Sequence, residues 1–325
     1  MTYRHLVDPA LAPMLENEFP ALSAANLKDF RAALVHQFDA GPSPAIRSEV
    51  RVRTRDGGPE VRLIIHTPHG GGANRPAIFF IHGGGMVLGD AAMGEGVHGA
   101  LALRHQAVVV SVDYRLAPET PFPGAIEDCF AGLKWLFAHA AELGVDPSRV
   151  VLMGESAGGG LAASLAQLAR DEGGPRVCAQ ILIYPMLDYR TGSKEDPHPN
   201  PVTGEFSWTR ANNRFGWEAL RGAYVPTDAR AGHFSAALGR DLSNLPPAFI
   251  ATGSLDLFFE EILEYSRRLC RAGVPVELHS YPGAIHGFNF VPTAWMTESF
   301  NRDLHDALSR AFGSGESSAE QKNAR

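Results

Sequence analysis

The chain has 325 residues, 45% of them hydrophobic and 20% charged, with a formal net charge of −7. That balance excludes a disordered or fibrous chain, and the length suits either one large α/β domain with an accessory region or two domains. Negative charge without a basic block or arm argues against a nucleic-acid partner.

Residues 1–45 read as helical, with Leu22, Leu27, Phe30, Leu34 and Phe38 as the apolar positions. Their first thirty residues contain no continuous apolar run of the secretory type, and no stretch of the chain approaches the roughly 20 apolar residues of a membrane helix. Arg51–Thr54 and Val61–His66 flank Asp56-Gly57-Gly58, the pattern of a β-hairpin. Ala77–Ile81 and Ala107–Val112 are short apolar runs, as expected of strands covered on both faces. From Ile126, apolar residues Ile126, Cys129, Phe130, Leu133, Leu136 and Phe137 recur at helical spacing up to a Gly-Val-Asp-Pro break at 144–147.

Strand Val150–Met153, a small-residue helix from Ala157 and strand Ile181–Tyr184 follow. Residues 191–225 interrupt the alternation. They are polar and Pro/Gly-rich at first, then aromatic (Phe206, Trp208, Phe215, Trp217, Tyr224). Strand Ala248–Ala251, a helix marked by Phe258, Ile262, Tyr265 and Leu269, strand Val276–Tyr281 and a last helix through Phe300, Leu304, Ala307, Leu308 and Ala311 complete the chain. Strands separated by crossover helices imply an α/β fold. About eight strands form a mostly parallel sheet flanked by helices, opened by an antiparallel hairpin. The expected division is a core of 46–190 and 226–313, cap segments 1–45 and 191–225, and a disordered tail at 314–325.

Cys129, Cys178 and Cys270 lie far apart and match no metal-ligand spacing. Cys129 and Cys270 fall on the apolar faces of helices and read as small buried hydrophobes. An odd number of free thiols suits a reducing compartment, so a cytoplasmic protein without metal or cofactor is expected.

The chemistry concentrates in four places. Gly154-Glu155-Ser156-Ala157-Gly158 follows a strand and opens a helix, the strand–turn–helix context of a nucleophilic serine on a strained turn. His82-Gly83-Gly84-Gly85 follows strand 77–81, and three glycines there let successive N–H groups converge on one oxyanion, with the amide of Ala157 as a further donor. No Gly-Lys-Ser/Thr follows, so a phosphate loop is disfavoured. Among thirteen histidines, His286 leaves the last strand in Tyr281-Pro-Gly-Ala-Ile-His-Gly-Phe288, the right place for a base that follows serine and acid in chain order. His5, His36, His105, His139 and His305 lie on helical segments and read as surface residues, and His82 as a hydrogen-bonded part of its loop. Asp256, between strand 248–253 and a helix, leads for the acid, with Glu260 and Glu261 as rivals one turn further on.

Together these residues resemble the hormone-sensitive-lipase-like family of α/β-hydrolase carboxylesterases. The matching motifs are His82-Gly-Gly-Gly85, Asp113-Tyr-Arg-Leu-Ala-Pro-Glu119 with Pro121-Phe-Pro123, Gly154-Glu-Ser-Ala-Gly-Gly159, Tyr184-Pro-Met-Leu-Asp188 and His286-Gly-Phe288, in family order over roughly residues 75–290. The resemblance implies a helical cap and a cofactor-free serine esterase acting on short- to medium-chain esters. It assigns Ser156, Asp256 and His286 to a triad and Gly83, Gly84, Gly85 and Ala157 to an oxyanion hole. It reads 113–119 as a structural tie beneath the site and allows a homodimer. The family's Asp-Pro-Leu here reads Asp256-Leu-Phe, and Glu155 stands where Asp or Thr is more usual. An arylformamidase-like amide hydrolase and a catalytically inactive ligand receptor are the alternatives on the same fold. A receptor of that kind typically lacks the histidine, which this chain keeps at 286.

Overall fold

The computed structural model describes residues 2–16, 20–37, 41–54 and 58–313. Its strands are β1 (Ile46–Arg53), β2 (Glu60–Thr67), β3 (Arg75–Ile81), β4 (Val108–Asp113), β5 (Val145–Glu155), β6 (Ala179–Ile183), β7 (Ala248–Gly253) and β8 (Val276–Tyr281). They form one eight-stranded sheet in the order β1-β2-β4-β3-β5-β6-β7-β8. β1 pairs antiparallel with β2, and β2 with β4; the remaining pairings are parallel. The expected α/β-hydrolase architecture is therefore the one observed.

The helices are α1 (Leu27–Gln37), α2 (Glu95–His105), α3 (Gly124–Ala138), α4 (Ala157–Asp171), α5 (Arg210–Arg221), α6 (Ala231–Phe234), α7 (Phe259–Arg271) and α8 (Trp295–Gly313). All seven residues of β3 are buried, and their two-residue period divides them between two cores. Phe79 and Ile81 join Leu133 of α3, Leu161 of α4 and Ile262 of α7 on one face. Ile78 and Phe80 join Leu101 of α2 and Phe300, Leu304 and Leu308 of α8 on the other. Burying a side chain such as Phe79 contributes roughly 2–3 kcal/mol, so continuous apolar runs, not alternating ones, specify these central strands.

Several local expectations are corrected. β5 starts at Val145, pairing with Arg75, and resumes at Val150 opposite Ala77, so the break at 144–147 is a bulge in a strand rather than a loop before one. The described residues of 1–45 contain one α-helix, α1, preceded by 3-10 turns at Arg4–Leu6 and Pro9–Leu15; Leu22 is buried but lies before the helix. Phe38, the Asp56-Gly57 turn and the tail at 314–325 lie outside the described residues. Cys129 is buried as expected, but Cys270 is exposed, because the inward position at the end of α7 belongs to Leu269, one residue earlier. His105 and His305 are half-buried and paired, Nε2 to Nδ1 at 3.0 Å, rather than lying free on the surface. Burial lowers the His105 pKa to about 4.

The Asp113–Glu119 segment ties the loop after β4 to its surroundings. Asp113 accepts from Arg62 Nε at 3.0 Å and from the amide of Ala91 at 3.1 Å. The Tyr114 hydroxyl donates to the carbonyl of His82 at 3.0 Å, and the amide of Ala117 donates to that of Met86 at 3.0 Å. Asp128, fully buried on α3, receives the Arg115 amide and its guanidinium, with contacts of 2.7–3.1 Å. Removing one member of such a pair strands the other. Arg115→Met is therefore expected to lower unfolding stability by about 3 kcal/mol, read as a shift of the urea midpoint. An unchanged midpoint would show that Asp128 is satisfied without the guanidinium.

Candidate active site

β5 ends at Glu155 and α4 begins at Ala157, leaving Ser156 alone in the turn with φ 55° and ψ −119°. A non-glycine residue in that region is strained by about 1–3 kcal/mol, so its surroundings must hold it. The Ser156 amide donates to the carbonyl of Ile183 at 2.9 Å, and its carbonyl accepts from Gly160 and Met186 at 3.0 and 2.9 Å. α4 starts so close to the end of β3 that a Cβ at Gly158 would stand 2.0 Å from the Ile81 carbonyl oxygen. The glycine after the serine is required by that approach.

Ser156 Oγ lies 2.9 Å from His286 Nε2, and His286 Nδ1 lies 2.7 Å from Asp256 Oδ2. Asp256 Oδ1 accepts from the amide of Phe258 at 2.9 Å, and its side chain is fully buried. The structure thus brings together the three residues selected as nucleophile, acid and base. The rivals for the acid point elsewhere. Glu260 accepts from Asn200 Nδ2 at 2.8 Å. Buried Glu261 accepts from the amide of Leu187 at 2.6 Å and from the hydroxyl of Thr191. Burial pushes the Glu261 carboxyl well above the usual range.

The glycine loop folds over the same point. The amides of Val87 and Leu88 close onto the Gly84 carbonyl at 3.1 and 2.8 Å. Gly84 takes φ 109°, and a Cβ there would meet the Leu88 carbonyl oxygen at 2.2 Å, so no side chain fits. A Cβ at Gly83 would lie 3.4 Å from Ser156 Cβ, which puts this loop directly beside the serine. Ala157, as the first residue of α4, has an amide with no intrahelical acceptor. His82 is structural: its Nδ1 lies 2.8 Å from the Gly83 carbonyl, and its ring stacks on Tyr114 at 4.2 Å. Burial lowers its pKa.

Two neighbours of His286 were not singled out in the sequence as its partners. Tyr184 and Phe258 meet the imidazole edge-on at 4.6 and 5.2 Å. The Tyr184 hydroxyl donates to Asn289 Oδ1 at 2.7 Å. Asn289 also hydrogen-bonds Glu155, whose pKa desolvation raises to about 7 against the opposing pull of His286 and Asn289. Asn289 lies three residues beyond His286 and carried no pattern of its own; Tyr184 was visible only as the start of Tyr184-Pro-Met-Leu-Asp188.

Above the loop stands the segment whose aromatics interrupted the α/β alternation. Trp208 and Trp217 are buried. An added Cβ at Gly85 would strike the Trp208 ring at 2.3 Å, and one at Gly216 on α5 would strike the Gly85 carbonyl oxygen at 2.6 Å. The α5 helix was not foreseen, because its inward face carries Asn212, Asn213 and Gly216 beside Trp217 and Leu220. Asn213 accepts from Trp208 Nε1 at 3.2 Å and donates to the Thr191 carbonyl at 2.7 Å.

The family model for the α/β-hydrolase fold matches residues 78–290, which span the glycine loop, Ser156, Asp256 and His286. The chain belongs to the α/β-hydrolase family. It is 38% identical to carboxylesterase NlhH of Mycobacterium tuberculosis over 94% of this chain and 96% of that protein. It is 33% identical to an ethyl acetate hydrolase of Pseudomonas putida over 75% and 76% of the two chains. Among solved structures, a bacterial heroin esterase superposes with a TM-score of 0.87 at 36% identity, covering 96% of this chain and 99% of the other. These relatives fit the hormone-sensitive-lipase-like resemblance, and the present hydrolase is an ester-hydrolysing enzyme like them. No helix among its described residues is long and apolar enough to cross a membrane.

Glu155 supplies a pH test. Its folded pKa of about 7 exceeds the ordinary 4.5, so between those values the folded protein keeps a proton that the unfolded chain releases. Stability therefore falls as pH rises through that window. Glu155→Gln removes the titration, and its Tm should exceed that of wild type at about pH 8 and match it at about pH 4. An equal Tm difference at both pH values would refute the assignment.

Proposed function

We propose that this hydrolase cleaves short- to medium-chain carboxylic esters through an acyl-enzyme on Ser156. The observation that carries the reading is the continuous hydrogen-bonded series Ser156–His286–Asp256 beside the 83–85 glycine loop. His286 takes the hydroxyl proton as Ser156 attacks the ester carbonyl, and Asp256 holds the imidazole tautomer and stabilises the imidazolium. The carbonyl oxygen becomes an oxyanion beside the amides of Gly83, Gly84, Gly85 and Ala157 at the start of α4. His286 then protonates the departing alcohol. Water, deprotonated by the same imidazole, attacks the acyl carbon and releases the acid with Ser156 restored.

In this reading residues 46–190 and 226–313 are the catalytic core, and 1–45 with 191–225 form a cap whose aromatics limit acyl or alcohol size. Three free cysteines support a cytoplasmic enzyme. A homodimer is part of the proposal through the family resemblance, and sedimentation tests it.

The test is hydrolysis of p-nitrophenyl esters from acetate to dodecanoate. Wild type should favour the short members. Ser156→Ala should lose activity by about 10⁴-fold or more, and Asp256→Asn, with the tautomer no longer held, by about 10⁴-fold in kcat. A folded Ser156→Ala variant that still turns over would move the nucleophile elsewhere. Wild type that cleaves an N-formyl arylamide faster than every ester would favour the amide-hydrolase alternative.

A further inference from the structure

The glycine loop cannot hold itself. Gly84, Gly85 and Met86 all have positive φ, at 109°, 61° and 64°, and the turn they form is closed only by the Val87 and Leu88 amides on Gly84. The orientation of the nearby amides therefore depends on what fixes the far side of that turn, at Val87. The group found there comes from a distant part of the sequence. Arg31 on α1 donates from Nε to the Val87 carbonyl at 2.8 Å and from Nη2 to the Ala117 carbonyl at 2.8 Å. Ala117 is itself bonded through its amide to the Met86 carbonyl. One guanidinium thus bridges the end of the glycine turn and the 113–119 tie that supports it. Its remaining partner, Glu119, is exposed, and its carboxylate accepts from Nη1 at 2.8 Å and from Nη2 at 3.0 Å.

The segment that carries Arg31 is held to the core by Leu22 and Leu27, with Phe30 packed against the same core. Of the α1 side chains described, only Leu27 is buried, and Phe30 and Arg31 are half-buried. Just before the helix, the Leu22 amide donates to Asn212 Oδ1 at 2.8 Å, and Asn212 Nδ2 donates to the Pro20 carbonyl at 3.3 Å. That joins the amino-terminal segment to α5, the helix that reaches Gly85 through Gly216. The glycine loop is therefore gripped twice by one connected unit, by a cation at Val87 and by the Trp208 ring and Gly216 backbone at Gly85.

We infer that Arg31 is a positioning residue for catalysis, fixing the Gly83–Gly85 amides in oxyanion-binding geometry by chelating the Val87 and Ala117 carbonyls. The inference rests on the oxyanion reading of that loop. Hydrogen bonds to an oxyanion act only if donors are set before the charge develops, and displacements of about 1 Å in such groups cost up to 10²-fold in rate. The ester in its ground state carries no oxyanion charge, so its binding depends little on how these amides are set. Removal of Arg31 should thus appear in kcat and leave KM alone. A planar fork that meets two carbonyls at once is also poorly replaced by lysine, whose ammonium is a single point charge.

The experiment compares full-length wild type, Arg31→Met, Arg31→Lys, Glu119→Ala and Gly84→Ala on p-nitrophenyl butyrate, with the Ki of an alkylboronic acid as a tetrahedral mimic. Arg31→Met should lower kcat about 10-fold with KM within about twofold, and weaken the boronic acid in parallel with kcat/KM. Arg31→Lys should recover part of the loss, and Glu119→Ala should stay near wild type because both carbonyl contacts remain. A merely structural Arg31 would lower Tm and active fraction without changing the Ki of the folded fraction, and that result overturns the inference. So does an Arg31→Met kcat within twofold of wild type while Gly84→Ala is crippled, which leaves the oxyanion reading standing. Full activity in Gly84→Ala removes the oxyanion reading and this inference together.

Discussion

The turn at Ser156 is the constraint on which the other features of this enzyme depend. A serine at φ 55° between a strand and a helix is unfavourable by itself. It persists because β5 is pinned between β3 and β6 and because α4 begins where no side chain could separate it from β3. The central strands are buried on both faces to provide that rigidity, and two cores, one on each side, keep their ends from shifting. The gain from burying those strands is spread over many residues, whereas the strain sits on one. This lets a marginally stable fold keep a strained serine.

Around this turn the enzyme manages desolvated polar groups by two different means. Asp256 sits beside His286 with one oxygen on the imidazole and the other on a backbone amide, so both lone-pair directions find partners. Glu155, one residue before the nucleophile, has only Asn289 and the more distant pull of His286 to oppose its desolvation, and its pKa rises to about 7. The two carboxyl groups therefore differ by environment rather than by type. Asp256 is held at both oxygens, whereas Glu155 is an acid that gains or loses its proton near neutrality. Tyr184 and Asn289 link Glu155 to the imidazole's surroundings, so the base is enclosed by a network and not only by its immediate acid.

What could be read from the sequence divides along the same physical lines. β3, β4, β6 and β7 were legible because a continuous apolar run between turn residues has few other interpretations in a buried strand, and β8 because Val276 and Leu278 alternate with polar Glu277 and His279 at a strand's two-residue period. Ser156, His286 and Asp256 were legible because each occupies a strand end, where chain order alone narrows the choice. α5 was not, because its inward face mixes Asn212 and Asn213 with Trp217 and Leu220, and buried polar side chains dilute the apolar face. Cys270 was misplaced by one position on α7, a rotation of about 100°, which periodicity over a short helix does not resolve. Arg31 was unreadable for a different reason. Its partners are backbone carbonyls of Val87 and Ala117, and a carbonyl leaves no mark in the sequence.

In the proposed reading, the cap and the chemistry are coupled through the backbone of the glycine loop. An enzyme that bound its substrate in one module and stabilised charge in another would need only side-chain contacts between them. Here the cap residues Arg31, Trp208 and Gly216 all meet the glycine loop at main-chain atoms or at positions where no side chain is tolerated. The contact at the Val87 carbonyl survives a change of side chain there, whereas Gly85 tolerates none, and both constrain the path of the loop closely. In the same reading, aromatics of 191–225 can vary with the ester while the grip on the amides stays fixed. Selectivity and transition-state stabilisation can therefore change separately within one cap, provided that the atoms touching the loop do not move.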